Sequence, residues 1–457
     1  MRATFTIILF VGTLLLLACG EQPNAVVVAT EPPPQPNVVI IATEPPLPQP
    51  QPQPTAANEA ISEEAVSQEA VTQEAVVGGN GRSLTIWADE LRTPALETAA
   101  AAFAAANDGL TVVVEQRPLS DIRLDMLAAT AAAAAPDIIV GSHTWVGELV
   151  GNGVLAPVNL GEQAAQFVPV SLEAFTNNGA LYGMPNSTDN VAFFINQDLV
   201  PDCPTSWSEV LDFSRARAAG NTEDIATNLY GFVRMEGSAY HFFPIQSAFG
   251  GTIFGGDNGR YDVTDIGLDG AGSVAAADYY DTFLAEGLQP GSMDMDTMRV
   301  WFETGKAAMI IIGPWALGNL RDADVNYKIC DIPSETAPGR VLVEAQGFMI
   351  TTFSDDPELA QLFLTDFVAT PETMQAIADV DFRLSAYLPV RSSAGPDLLA
   401  IGEVGAKGTP IPGIPEMAYV WEPWETAVTL LSRQQATPEE AFVNAATQIR
   451  AAILNNN

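Results

Sequence analysis

Short apolar runs alternate with Ala-rich stretches of helical length along most of this chain. Leu84-Thr-Ile-Trp87, Leu110-Thr-Val-Val-Val114 and Asp137-Ile-Ile-Val140 have the length and β-branched content of buried strands. Between them the pattern predicts a helix over 94–107, with Leu96 and Phe103 toward the core and Asp108-Gly109 as its stop. A second helix is expected over 121–135, ended by Pro136. The alternation continues with strands at 192–195, 309–312 and 347–350, and helices at 207–219, 360–367, 373–378 and 438–454. Strands joined by helices of this length predict an α/β fold built on parallel sheet. In such sheets ligands bind beyond the carboxyl ends of the strands. The segments to search are therefore 88–93, 141–147 and 312–317.

The first 82 residues follow a different pattern. After Arg2 an apolar run, Ile7 to Ala18, closes on Cys19; it is shorter than the roughly 20 residues of a membrane span and has the form of a secretory leader. Leu-x-Ala before cysteine predicts a lipoprotein signal peptide over 1–18, with Cys19 as the lipidated N-terminus of the mature chain. From 19 to 82 the composition is that of a spacer: eleven of the 33 prolines lie between Pro23 and Pro54, followed by Glu-Ala-Val repeats and Gly78-Gly-Asn-Gly81. Proline removes donors and favours extended chain, so this stretch reads as a disordered tether. The expected location is outside the cytoplasm, at the cell surface or in the periplasm, with the lipid as the sole membrane anchor.

From Ser83 to Asn457 the chain holds 48 acids and 17 bases, a net charge of −31. That excludes a nucleic-acid partner, which needs basic stripes. Only two histidines are present, His143 and His241, at no metal-ligand spacing, so no metal and no cofactor are expected. With Cys19 lipidated, Cys203 and Cys330 remain in an oxidising compartment; a disulfide between them is expected, two free buried thiols being the alternative.

Several segments, in order, make the chain resemble the extracellular solute-binding proteins of ABC importers, and among them the maltose/maltodextrin-binding family. They are Leu84-Thr-Ile-Trp87, Ala135-Pro-Asp-Ile-Ile139, Gly183-Met-Pro185, Asn196-Gln-Asp-Leu-Val-Pro201, Pro204-Thr-Ser-Trp-Ser-Glu209, Gly305-Lys-Ala-Ala-Met-Ile310, Gly313-Pro-Trp315 and Ile411-Pro-Gly-Ile-Pro-Glu-Met417. The resemblance implies a two-lobed periplasmic-binding-protein-like α/β fold, with a hinge and a ligand cleft between the lobes. One lobe is expected over 83–187 plus 346–389 and the other over 188–345 plus 390–457. It implies a monomer that captures an oligosaccharide by lobe closure and delivers it to the permease subunits.

A sugar offers C–H faces that stack on aromatic rings and hydroxyls that bond to charged or amide groups. The resemblance places Tyr240, Trp315 and Trp421 at stacking positions and Asp189 at a hinge carboxylate. It places Asp89, Glu90 and the neighbouring Arg92 where the other lobe offers polar contacts. Ordinary core packing is the alternative for the aromatic residues, and a solvated loop for the charged ones. The chain also departs from the maltose pattern: Gly141 stands where a tryptophan follows the third strand, and Thr144-Trp145 replaces an acid–arginine pair. Trp145 is then a stacking residue or a cap on its lobe.

Two other functions stay open. A secreted glycosidase would need two carboxylates about 5–9.5 Å apart. A binder of a cationic solute such as a polyamine would also use acids and aromatic rings.

Overall fold

A computed structural model describes residues 82–129, 135–222, 224–257 and 259–456. The leader, Cys19 and the tether short of Arg82 lie outside the described residues. The first sheet opens with β1 (Ser83–Ala88), α1 (Thr93–Ala106), β2 (Thr111–Gln116), α2 (Leu119–Ala129) and β3 (Ile138–Ser142). Pro94 stands in the first turn of α1, where its missing N–H has no partner to lose. Ala95, Leu96, Ala99, Ala100 and Phe103 form its buried stripe at three- and four-residue spacing.

β4 (Met184–Asp189) belongs to this sheet, but β5 (Ala192–Asn196) begins a second one. The second sheet adds β6 (Tyr230–Val233), β7 (Ala307–Ile312) and β8 (Tyr327–Cys330), with α3 (Trp207–Ala218) and α4 (Ala239–Ala248) between them in the chain. β9 (Leu342–Thr351) returns to the first sheet. Two long helices, α5 (Trp421–Ser432) and α6 (Pro438–Asn456), close the chain. The first sheet has the order Leu384–Ser385, β4, β9, β3, β1, β2, and the second β8, β5, β7, β6. β1 is parallel to β2 and β3, whereas β9 is antiparallel to β3 and β4 and takes the short strand Thr409–Pro410 in parallel at its start.

Each sheet has its own core, and this makes the molecule two-lobed. One face of the first sheet buries Leu84, Ile86, Leu96, Phe103, Phe348 and Phe363. The other buries Trp87, Ile122, Met126, Ile139, Phe175 and Met349. The neighbours Ile86 and Trp87, and Phe348 and Met349, part to opposite sides because successive strand side chains alternate. The second core gathers Phe193, Phe194, Trp207, Phe232, Phe242, Tyr280, Trp424 and Phe442. Cys203 and Cys330 are disulfide-bonded beside it, with Cα atoms 5.8 Å apart.

Three boundaries differ from the sequence-based expectation. The strand expected at 347–350 is β9, which runs from Leu342 to Thr351, because Glu344 and Gln346 interrupt its apolar run without ending its pairing. The helix expected at 360–367 is an α-helix, Pro357–Phe363, followed by a wider π turn, Leu364–Val368. The helix expected at 121–135 starts earlier, at Leu119, and is described as far as Ala129, residues 130–134 lying outside the described residues.

Candidate functional site

The carboxyl ends of β1 and β3 meet the amino-terminal half of β9, and polar side chains collect there. At the end of β1, Arg92 is fully buried and bonds Asp89 through Nη1 (2.9 Å) and Asp381 through Nη2 (2.8 Å). Arg383 reaches the other oxygen of Asp381 at 3.3 Å. Asp89 and Arg92 thus form a buried charge chain and not a solvated loop. Glu90, next to them, is exposed.

Asp189 ends β4 and lies directly across the ladder from Glu344. Burial pushes the Asp189 carboxyl up to about 7; Arg383 draws it down and the Glu344 charge adds to the rise. Glu344 Oε1 accepts from Ser142 Oγ (3.1 Å) and Gln346 Nε2 (3.0 Å). Tyr240, on α4, donates its hydroxyl to the Leu342 carbonyl at 3.2 Å. Its hydroxyl is held well above its ordinary range by burial and then by the charges of Asp189 and Glu344. His143 is buried between two strands: Nδ1 accepts from the Ala345 N–H at 3.0 Å and Nε2 donates to the Ile411 carbonyl at 2.9 Å. Burial lowers its pKa, so the ring is a neutral tie and not a charge.

The aromatic candidates are seated in a repeated way. After β3 comes a 3-10 turn, His143–Trp145, and then the short helix Val146–Gly151. After β7 come Gly313, a 3-10 turn, Pro314–Ala316, and then the short helix Leu317–Asp322. In both places the indole lies on a glycine at the strand end. A Cβ on Gly141 would fall 2.1 Å from Trp145 Cζ3, and one on Gly313 2.2 Å from Trp315 Cζ3. Neither glycine has a positive φ, so what each supplies is room for the ring. Trp145 and Trp315 are each only partly buried.

His241 joins Trp315 and Tyr240 edge-on, with centroids 6.1 and 5.7 Å away. Burial, with the nearby Arg234 charge, depresses His241 to about 3. Trp421 opens α5 and stacks on the fully buried Trp424 at 6.0 Å.

The structure therefore links Asp89 and Arg92 through Asp381 to Arg383 and Asp189, and sets Tyr240 beside Asp189. Trp145 stands three residues beyond Ser142, which bonds Glu344, while Trp421 packs with Trp424 and Glu90 faces solvent. Sequence reasoning missed Glu344, Gln346, Asp381 and Arg383. A charged residue placed in a strand against the apolar alternation was the available signal for Glu344. Among the described residues no group of three or more His, Cys, Asp or Glu could hold a metal ion.

The family described as bacterial extracellular solute-binding protein matches residues 98–400. A galactooligosaccharide-binding protein of Bacillus subtilis (strain 168) is 27% identical over 394 residues, covering 82% of this chain and 90% of that protein. The maltodextrin-binding protein MdxE of the same organism is 27% identical over 359 residues, covering 76% and 84%. A crystal structure of a cyclo/maltodextrin-binding protein complexed with maltotetraose has the same fold, with a TM-score of 0.73 at 24% identity, covering 82% of this chain and 98% of that one.

Proposed function

The chain belongs to the bacterial extracellular solute-binding protein family, and from that premise we propose that it captures an oligosaccharide between its lobes and delivers it to an ABC importer. The observation that carries the sugar reading is the pair of tryptophans, one at the end of a strand in each sheet, each lying on a glycine with its ring partly open. Indole faces suit the C–H faces of a pyranose, and the buried carboxylates and amides at the carboxyl ends of β1 and β3 suit its hydroxyls. Trp145, Trp315, Tyr240 and Trp421 are assigned to stacking and Glu90 and Asp189 to hydroxyl contacts, while Asp89 and Arg92, buried in their ion-pair chain, support the polar face from behind. Similarity to both a galactooligosaccharide binder and a maltodextrin binder supports an oligosaccharide of either class.

The lobes are assigned to 83–187 with 346–389 and to 188–345 with 390–457. The chain passes between the sheets after β4 and after β8, and beyond Leu384–Ser385 it leads to α5 and α6, whose Trp424 and Phe442 join the second core, which supports this division. Ligand binds the closed arrangement better and thereby selects it. Lipidation at Cys19 and the tether up to Arg82 would hold a monomer beside its permease and raise its effective concentration there.

The cross-strand pair Asp189 and Glu344, with one carboxyl raised to about 7, is the feature a glycosidase reading would use. Thermal unfolding of the full chain against maltotriose, cyclodextrin, a galactooligosaccharide and spermidine tests the proposal. A sugar at 100 times its dissociation constant adds about 2.7 kcal/mol of stability. Stabilisation by a sugar that is recovered intact supports binding and delivery. Stabilisation by spermidine alone would overturn the sugar reading, and hydrolysis of the sugar would overturn the binding-protein reading.

A further inference from the structure

Along β9 the residues 350, 348, 346 and 344 share one face. Ile350 and Phe348 are core, whereas Gln346 and Glu344 are polar. Across the ladder Ser187 faces Gln346 and Asp189 faces Glu344, and Asn186 is the extra residue of a bulge between the pairs Ser187–Gln346 and Pro185–Gly347. Along these paired stretches three buried side-chain atoms have no protein partner: Gln346 Oε1 and, on β4, Asn186 Nδ2 and Asp189 Oδ1. Gln346 is 2% exposed and Asn186 1% exposed. Most buried polar groups in native proteins are paired, so three orphans on neighbouring stretches of two paired strands call for a partner from outside the chain.

The other end of each amide is already held, which fixes its orientation. Gln346 Nε2 donates to Glu344 Oε1 at 3.0 Å, so its free atom is an acceptor. Ser187 Oγ donates to Asn186 Oδ1 at 2.9 Å, so the free atom of Asn186 is a donor. Ser187 Oγ in turn accepts from Arg92 Nη2 (3.5 Å). The orphans are therefore aimed by the buried charge chain behind them. All of them lie where the carboxyl ends of β1 and β3 meet β9, the ligand side of an α/β sheet.

We propose that Gln346 and Asn186 contact the ligand directly, as an acceptor and a donor for adjacent hydroxyls, with Glu344 and Ser187 orienting them. The set is chemically selective. A hydroxyl both donates and accepts, so a polyol satisfies Gln346 Oε1 and Asn186 Nδ2 together. A polyamine only donates and leaves Asn186 unmet, and a carboxylate or phosphate only accepts and leaves Gln346 unmet. Because β4 and β9 both run toward the crossings between the sheets, a ligand held here bonds to the hinge strands themselves. This inference rests on the sugar-cleft reading and adds two residues that the family resemblance did not supply.

The test is calorimetric titration of the full chain with maltotriose and with a galactooligosaccharide, for wild type, Gln346→Met, Asn186→Ala and Trp315→Ala. Gln346→Met and Asn186→Ala are each expected to weaken the bound sugar about 10-fold or more, with the melting temperature of the ligand-free chain little changed. Against a set of singly deoxygenated sugars, the loss from Gln346→Met should vanish for one of them, because the hydroxyl it held is gone. If Gln346→Met does not fold, Asn186→Ala carries the same test. Affinities within about 3-fold of wild type for the hinge variants, with Trp315→Ala strongly impaired, would overturn this inference and leave the sugar cleft standing. If none of the sugars binds wild type, the cleft reading falls and this inference with it.

Discussion

At Asp189 the free energy of folding is tied to pH. Its folded pKa of about 7 lies above its ordinary value of 3.8, so the folded state holds the proton more tightly than the unfolded chain does. The stability this contributes is complete below pH 3.8, fades as pH rises, and is gone above about 7. Asp189→Asn is expected to match wild type near pH 4 and to exceed it at pH 8 by up to about 4 kcal/mol. Denaturant melts at several pH values check this, and a difference independent of pH would contradict it. His241, depressed to about 3, acts in the opposite sense, since its stabilising term is lost as pH falls below 6.5. It cancels in the comparison of wild type with variant. The seat of Trp145 makes a second residue-scale prediction. A methyl group at Gly141 would fall 2.1 Å from the ring. Gly141→Ala is therefore expected to displace the indole, shift the tryptophan emission, and weaken sugar binding roughly 3- to 10-fold. Adding Gly141→Ala to Trp145→Ala should cost no further affinity, and an additive loss would assign Gly141 some other role.

Two interactions tie elements that are distant in sequence. Arg92, at the entry to α1, bonds Asp381, which lies 289 residues on. Arg92→Leu leaves Asp89 and Asp381 as buried carboxylates, with Arg383 bonding Asp381 alone. The expected loss is about 3–5 kcal/mol, read as a lower denaturation midpoint. The disulfide joins Cys203, in the loop before α3, to Cys330 at the end of β8, across 127 residues. Cys203→Ser with Cys330→Ser is expected to lose about 2–5 kcal/mol, and reductant should bring wild type to the same midpoint. Equal stability of oxidised wild type and the double variant would show that the bond constrains nothing that unfolding releases.

Among the described residues each sheet has its own core and the chain passes between the sheets after β4 and after β8; the proposed capture of a sugar between two such lobes predicts hinge closure. X-ray scattering of the full chain is expected to show a smaller radius of gyration with a bound oligosaccharide than without. An unchanged radius on saturation would place closure before binding or rule it out. The fold was largely legible from the chain: β1, β2, β3, β5 and β7 each follow from a local apolar run. Of the candidate site, the sequence pointed only to chemically distinctive residues that follow such a run, as Trp145 and Trp315 do. Glu344 and Gln346 were not legible, because inside a strand a polar residue reads as an interruption until its cross-strand partners are known.

The sequence by itself determined the change of composition at Arg82, the strands and helices that carry a strong local apolar pattern, and the tryptophans placed after strand ends. These depend on neighbours within a turn or a strand, which periodicity and composition record. The tertiary structure alone decided that Arg92 serves Asp381, that Gly141 is the seat of an indole, and that Asp189 meets Glu344 across the ladder. Register and burial are set by contacts between residues far apart in the chain, and no local pattern encodes which distant partner a buried charge will meet.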